Sequence, residues 1–347
     1  MARGVLPSLA MADIPSTMRA VQLAAYDGGP ESLSVVEMPV PRPGPGEVLV
    51  RVFASPINPS DLAFLRGMYG FKKPLPTVPG FEGSGTVVDA GSGMMACFMK
   101  GRRVACAAAD AKVAGGMWAE YVVTSAQFCM PLRKHVELEQ GATLLVNPLT
   151  AWALMDEARR GGHKAVVQTA AASALGKMVI RLGQKFSLPV INIVRRAEQV
   201  EALRAIGAVH VLNSSDSGFD AALHALCHNL DATIAFDAVS GDMSARVLAA
   251  LAQRARLIVY GALSLEAVHA DPASLVFESK HVEGFWLSQW LRSRSLVGQL
   301  RVAGQVQALL SGELKTDIQA RFPLEQASKA LEQYMGNMSG GKVLLVP

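Results

Sequence analysis

Residues 165–196, AVVQTAAASALGKMVIRLGQKFSLPVINIVRR, decide how this chain folds. An apolar strand, a turn of small residues, an opening helix and a second apolar strand follow one another without interruption. That is one β-α-β unit, whose strands run parallel and must be covered on both faces. Toward the C-terminus the alternation continues through the helix AEQVEALRAIG, the strand HVLN, a helix near DAALHALCHNL, and then TIAFDAV, MSARVLAALA and RLIVYG. Such alternation implies a doubly wound parallel sheet of the Rossmann type.

Toward the N-terminus the period changes. From Met18 to about Val136 short strands stand between glycine and proline turns: MRAVQLAAY, LSVVEMPV, the turn PRPGPG, EVLVRVFAS, GSGTVVDAG, RVACAAA and WAEYVVT. This half reads as an all-β or barrel-like domain. The tail holds a long helical stretch, SLVGQLRVAGQVQALLSGEL, then FPLEQASKALEQYMGN and a last strand, KVLLV. That strand has no partner in a finished parallel sheet, so it is expected to return to the first domain. The expected division is an N-terminal extension at 1–17, a β-rich domain from 18–136 and 312–347, and a Rossmann domain at 137–311.

Composition narrows the function. Of 347 residues 50% are hydrophobic and 18% charged, enough to fill a large core and far from a disordered chain. The net charge of +4 is thin and scattered, which argues against nucleic acid and suits a polyanionic cofactor. Four cysteines without a CxxC pair make no disulfide framework and favour a reducing, cytoplasmic setting. No apolar run reaches the ~18 residues of a membrane helix. Residues 1–17 lack a secretory h-region and cleavage site; a loose extension is expected, with a short organelle presequence left open.

The turn after AVVQT stands where a dinucleotide fingerprint, G-x-G-x-x-G, would lie, with Ala171, Ser173 and Gly176 at its three positions. Alanine and serine are small enough for backbone N–H groups at the helix start to meet a phosphate. Arg195 and Arg196 close the next strand, at the place where a free ribose 2′-hydroxyl meets an acid and a 2′-phosphate wants arginine. The pair favours NADPH; the alternative is two solvated surface charges. HALCH puts His224 and His228 at i and i+4 beside Cys227, but without the glutamate of HExxH or a third ligand it reads as a surface helix face.

SPINPSD, GMYG, PGFEGSG, VNPLTAW, INIVRRAEQ and GFWLSQW, in this order and with the altered glycine turn, resemble the medium-chain dehydrogenase/reductase superfamily. The likeness extends over nearly everything after Met18. It is closest to the zinc-free branch of quinone oxidoreductases and mitochondrial-type trans-2-enoyl thioester reductases. It implies a GroES-like domain, built from both chain ends, and a Rossmann domain. Zinc-dependent relatives carry a cysteine in the segment matching NPSD and a histidine before the glutamate of PGFEGSG. Here those places hold Asn58 and Phe81, which are not zinc ligands; a structural zinc lobe also needs four closely spaced cysteines, and between Arg103 and Met130 only Cys106 and Cys129 occur.

Without a metal to polarise a carbonyl, hydride addition to an activated C=C needs only a hydrogen bond to the conjugated carbonyl. The resemblance implies NADPH-dependent reduction of a 2-enoyl thioester. It assigns catalytic roles to Tyr69 as hydrogen-bond or proton donor, to Asn58, and to Trp286 as a pocket wall with Trp290. The alternatives are a loop anchor for Tyr69 and, for the tryptophans, read as alternating on a strand, packing or subunit contact. The cofactor positions it implies are Asn147, Thr150, Ser173, Ala174, Leu175, Gly176, Arg195, Arg196, Tyr260, Phe285, Leu287 and Lys342. Asn147-Pro148 also fits helix-start chemistry, and Lys342 also fits a solvated strand end. Asp61, Glu82 and Arg103 read as structural polar groups. A homodimer is expected through edge-to-edge pairing of the strand from Val282 to Leu287. The competing functions are an NADPH:quinone oxidoreductase and a non-catalytic NADPH-binding or crystallin-like protein.

Overall fold

The computed structural model describes residues 14–108, 111 and 115–347. The expected extension at 1–17 lies largely outside the described residues; the first strand begins at Thr17. The chain forms two compact units. One runs through Ala142 and regains Arg321–Gln333 and Val343–Pro347; the other comprises Thr143–Ala320 and Tyr334–Lys342.

The first unit carries β1 (Thr17–Leu23), β2 (Leu33–Pro39), β3 (Glu47–Pro56), α1 (Pro59–Leu65) and β4 (Glu82–Ala90). Then come α2 (Met94–Met99), β5 (Arg103–Ala107), β6 (Tyr121–Ser125), β7 (Cys129–Pro131) and α3 (Leu138–Ala142). In β3 the residues Val48, Val50, Val52 and Ala54 are buried on alternate positions, the period of a strand with one core face. The three valines meet Val87, Val104, Met117 and Val122 in one apolar cluster. The Trp118-Ala119-Glu120 part of the expected WAEYVVT strand lies before β6. Its backbone instead serves β1 and β3: Val21 N–H donates to Trp118 O at 2.8 Å and Val52 N–H to Glu120 O at 2.9 Å.

The second unit carries α4 (Asn147–Arg160), β8 (Val166–Gln168), α5 (Ala174–Phe186), β9 (Val190–Val194), α6 (Ala197–Ala205), β10 (His210–Asn213) and α7 (Phe219–Asn229). It continues with β11 (Ile234–Asp237), α8 (Asp242–Ala250), β12 (Arg256–Val259), α9 (Pro272–Val276), β13 (His281–Gly284), α10 (Leu287–Arg292) and α11 (Leu296–Leu309). Its sheet runs β10-β9-β8-β11-β12-β13, parallel at every pairing. In order of appearance that is 3-2-1-4-5-6, the doubly wound dinucleotide-binding order. Ile191, Ile193, Ala235 and Leu257 from the strands pack with Leu223, Cys227 and Val247 from the helices, fully buried or nearly so.

The tail supplies β14 (Ile318–Pro323), α12 (Ala327–Gly336) and β15 (Lys342–Val346). As expected, the last strand returns to the β-rich sheet: Leu344 and Leu345 pair antiparallel with Pro56 and Ser55 of β3. The sheet order there is β14-β15-β3-β4-β5-β7, with β6 also on β3.

One expected element is corrected. GFWLSQW is not a strand: β13 stops at Gly284, Trp286 caps a new helix, and Trp290 lies within α10. The cause is long-range. Trp290 buries its ring, donates from Nε1 to Glu157 Oε1 on α4 at 3.0 Å, and carries the Arg294 guanidinium 3.8 Å above it. Those contacts need a helical turn after Trp286, and they leave Trp286 exposed at 45% while Trp290 is buried at 9%. The two tryptophans therefore do not share a strand face.

Candidate active site

In the first unit the segment NPSD becomes the start of α1. Asn58 is its N-cap and Pro59 its first residue, where a missing N–H costs nothing. Asn58 N–H donates to Asp61 Oδ2 at 2.8 Å, and the other oxygen of Asp61 accepts from Phe81 N–H at 3.1 Å. Asn58 Nδ2 donates to Glu82 Oε1 at 3.0 Å. All four residues are buried, so one carboxylate ties the helix start to the entry of β4 and the other holds the Asn58 amide. Arg103 Nη2 donates to Val136 O.

The loop after α1 carries Tyr69 and is pinned at Lys73. The Tyr26 hydroxyl accepts from Lys73 N–H at 2.7 Å and donates to Lys73 O at 2.8 Å. The buried ammonium of Lys73 donates to Ala108 O at 3.2 Å and Gly115 O at 2.5 Å. Tyr69 itself is half-buried. Its ring lies 4.5 Å from that of Phe81 and 5.2 Å from that of Phe71, with Phe64 behind both. Phe81, at the place of a zinc-ligating histidine, is thus the floor on which Tyr69 rests. An amide committed to Glu82 and a phenyl ring offer zinc no ligand, so these residues do not fit that metal. Among the described residues no group of three or more His, Cys, Asp or Glu could hold a metal ion.

In the second unit the parallel register lines up the carboxyl ends of the strands. Gln168 of β8 is level with Phe236 and Asn192, and Asp237 is level with Val259 and Gly284. The strand order reverses between β8 and β11, which is where ligands of open α/β sheets bind. The altered turn opens with Ala170 at a φ of 49°, and the Ser173 hydroxyl caps α5 by accepting Gly176 N–H at 3.0 Å. Of the fingerprint glycines only Gly176 remains, and space explains it: a Cβ there would stand 2.3 Å from Ala171 O. Ala174 and Leu175 complete the first turn, Leu175 buried. This cradle fits a dinucleotide pyrophosphate at a helix N-terminus.

Arg195 and Arg196 leave the end of β9 exposed, Arg196 paired with Glu198 at 2.8 Å. Beside them Gln199 accepts Arg195 N–H at 3.2 Å and donates to Ser339 Oγ at 3.1 Å, while Lys177 Nζ donates to Ser339 O at 3.1 Å. Sequence reasoning passed over Gln199, Lys177 and Ser339. It also missed Asp237, although an acid ending the apolar run TIAFD was a visible signal. Fully buried, Asp237 accepts from Thr169 Oγ1 and Val239 N–H at 2.8 Å each and from Ser244 Oγ at 2.5 Å. Next along the edge, Tyr260 has its phenol pushed well above the ordinary range, first by burial and then by the negative charge of Asp237, so it remains a neutral donor.

Asn147 and Thr150 are buried on the first turn of α4, where Asn147 is the first helical residue after the cap Val146. Lys342 is buried rather than solvated, its backbone N–H bonded to Asp317 O at 2.8 Å and its Nζ 5.6 Å from the Tyr334 ring centroid. Phe285 and Leu287 are half-buried on either side of exposed Trp286. In HALCH the two imidazoles stack 6.5 Å apart on the exposed face of α7, whereas Cys227 turns into the core, where burial pushes its thiol up to about 12.

Residues 44–134 match the alcohol dehydrogenase GroES-like domain and residues 174–300 the zinc-binding dehydrogenase domain. A mitochondrial enoyl-[acyl-carrier-protein] reductase of Arabidopsis thaliana is 30% identical over 97% of this chain and 91% of its own length. A Homo sapiens protein of the same name is 29% identical over 86% and 80%. Among solved structures, a Mesorhizobium loti protein assigned as an NADPH:quinone reductase is 37% identical, with a TM-score of 0.90, over 97% of this chain and 100% of its own. A mycobacterial protein complexed with NADPH is 26% identical, with a TM-score of 0.82, over 95% and 100%.

Proposed function

Because the chain belongs to the zinc-free branch of the medium-chain dehydrogenase/reductase superfamily, we propose that it is an NADPH-dependent oxidoreductase that reduces the conjugated C=C of a 2-enoyl thioester. The observation that carries this reading is Tyr69 resting on Phe81 at the lost zinc-ligand position. Bound NADPH supplies the hydride. As the β-carbon gains it, the C=C electron pair moves toward the thioester oxygen, and the α-carbon then takes a proton. Tyr69 stabilises the developing charge by donating from its phenol. Asn58, held by Glu82, stands near the nicotinamide, and Trp286 supplies an apolar wall.

In this reading the turn Ser173–Gly176 receives the pyrophosphate and Arg195 and Arg196 the 2′-phosphate. Asn147, Thr150, Tyr260, Phe285, Leu287 and Lys342 hold the rest of the cofactor. The catalytic domain comprises 18–136 and 312–347 and the NADPH domain 137–311. The free thiols of all four cysteines support a cytoplasmic enzyme, although the curated relatives are named mitochondrial; no helix among the described residues is long and apolar enough to cross a membrane. The enzyme works as a homodimer on a small-molecule substrate.

The 37% identity to a protein assigned as a quinone reductase favours NADPH:quinone oxidoreduction as the second reading. Tyr69→Phe separates the two, since it keeps the ring packing and deletes the donor. For crotonyl thioester kcat is expected to fall about 100- to 1000-fold, the usual cost of losing one such donor. Quinone turnover falls much less, because the reduced quinone can draw protons from solvent. NADPH affinity, read by fluorescence titration, stays unchanged. Thioester turnover within about threefold of the unmodified enzyme, with NADPH still bound, would make Tyr69 a loop anchor and overturn its assignment.

A further inference from the structure

Two of the four cysteines face each other. β5 and β7 pair antiparallel with Val104 opposite Pro131, Ala105 opposite Met130 and Cys106 opposite Cys129. Directly opposed residues in such a ladder have Cα atoms about 4.5–5.5 Å apart and side chains on the same face of the sheet. A disulfide spans Cα separations of about 4.4–6.8 Å, so the ladder already sets the two sulfurs in bonding register. Both side chains are buried in the apolar cluster of Val50, Val104, Met117 and Val122. Burial, helped by a hydrogen bond with the Cys129 thiol, pushes the Cys106 thiol well up. Cys129 is the more accessible, with 7% of its surface exposed against none for Cys106, and its Sγ donates to Ser125 O at 3.7 Å. Neither residue has a part in the proposed hydride transfer.

We propose that Cys106 and Cys129 form an oxidation site at which a hydroperoxide converts the two thiols into a disulfide that staples β5 to β7. The Cys129 sulfur attacks the peroxide, the O–O bond breaks, the thiol proton passes to the leaving oxygen, and a sulfenic acid and an alcohol, or water from hydrogen peroxide itself, result. The Cys106 sulfur then displaces the hydroxyl from that sulfenic acid and gives up its own proton, so that water leaves as the S–S bond forms. Two thiols are oxidised and one peroxide is reduced, with no other reactant. The bond closes the chain from Ala107 to Phe128, which contains β6, into a covalent loop and leaves exposed Cys97 and buried Cys227 as thiols.

The test uses the full chain carrying Cys97→Ser, which removes the exposed thiol that would link molecules together. After incubation of the folded protein with hydrogen peroxide and alkylation of the remaining thiols, the expected product has lost two hydrogens and retains one alkylated cysteine, Cys227. Peptide mapping is expected to find Cys106 joined to Cys129, and dithiothreitol to restore both thiols. Recovery of Cys106 and Cys129 as separate alkylated thiols after prolonged exposure would overturn the proposal. So would sulfinic acid on Cys129 with Cys106 still reduced, because a correctly placed partner captures the sulfenic acid before further oxidation. Both readouts come from a chain whose core cysteines are intact, so failure of a core variant to fold does not enter. Turnover plays no part in them, which keeps this proposal separate from the proposed activity.

Discussion

Arg195 and Arg196 emerge side by side from β9 with no acid at the strand end, and their exposure leaves both guanidinium groups accessible to an anion. The Arg196–Glu198 pair is a surface ion pair worth little, so it does not withhold Arg196 from a phosphate. Each charge-assisted contact to a 2′-phosphate contributes about 1.5–3 kcal/mol, or roughly 10- to 100-fold. Arg195→Ala and Arg196→Ala are therefore expected to raise the KM for NADPH by such factors and to leave that for NADH nearly unchanged. Equal use of NADH and NADPH by the unmodified enzyme would contradict the assignment. At the other end of the chemistry, the Asn58 amide bonded to Glu82 and the phenyl ring of Phe81 predict activity indifferent to chelators and no stoichiometric zinc by elemental analysis. These residues were legible because type alone decides them: arginine is always charged, and phenylalanine never binds a metal. Lys342 was not, since strand-end lysines are ordinarily solvated and its burial depends on Tyr334 and Asp317.

At the scale of elements, the β8 turn and α5 meet through Gly176 and the β8 and β11 turns meet through Asp237. Gly176→Ala sets a methyl group 2.3 Å from Ala171 O, inside any allowed contact, so α5 must shift from the strand. Overpacking of this kind costs about 1–3 kcal/mol and should lower both the unfolding midpoint and NADPH affinity. Asp237→Ala strands the Thr169 and Ser244 hydroxyls and the Val239 N–H in a buried site. Unsatisfied buried donors cost about 1–3 kcal/mol each, so a loss of about 3 kcal/mol or more in denaturant unfolding is expected. A variant as stable as the parent would show that water reaches these groups. The β-α alternation was legible because its period is local. GFWLSQW was misread as a strand because its helix is decided by Glu157 and Arg294, contacts that no short window contains.

For the whole molecule, β13 is the outer strand of the parallel sheet, and its residues His281–Gly284 are all exposed. Near it Phe277 is 82% and Val276 67% exposed, an apolar surface beside an open strand edge. Edges of this kind pair with other chains unless they are covered, and symmetric pairing with a second copy closes the assembly. The returning strand β15 could be foreseen from the sequence because KVLLV had no place in a parallel sheet, whereas the extent of the β13 edge could not, since the expected strand ran on to Leu287. His281 and Phe285 donate their N–H groups to Ala255, just before β12, and to Val259 of β12, so the alternate N–H groups of Val282 and Gly284 point to the open edge. A copy pairing there must use them. Val282→Pro removes one outward donor and leaves the His281 and Phe285 bonds in place, because neither involves the Val282 N–H. Light scattering at micromolar concentration is expected to give a dimer for the unmodified chain and a monomer, or a dimer weakened many-fold, for Val282→Pro, with the unfolding midpoint of the dilute protein little changed. A monomeric parent would remove the homodimer from the proposed function. A dimer indifferent to the proline would move the contact to the apolar surface around Phe277, where Phe277→Ser should then dissociate it while leaving the β13 edge intact.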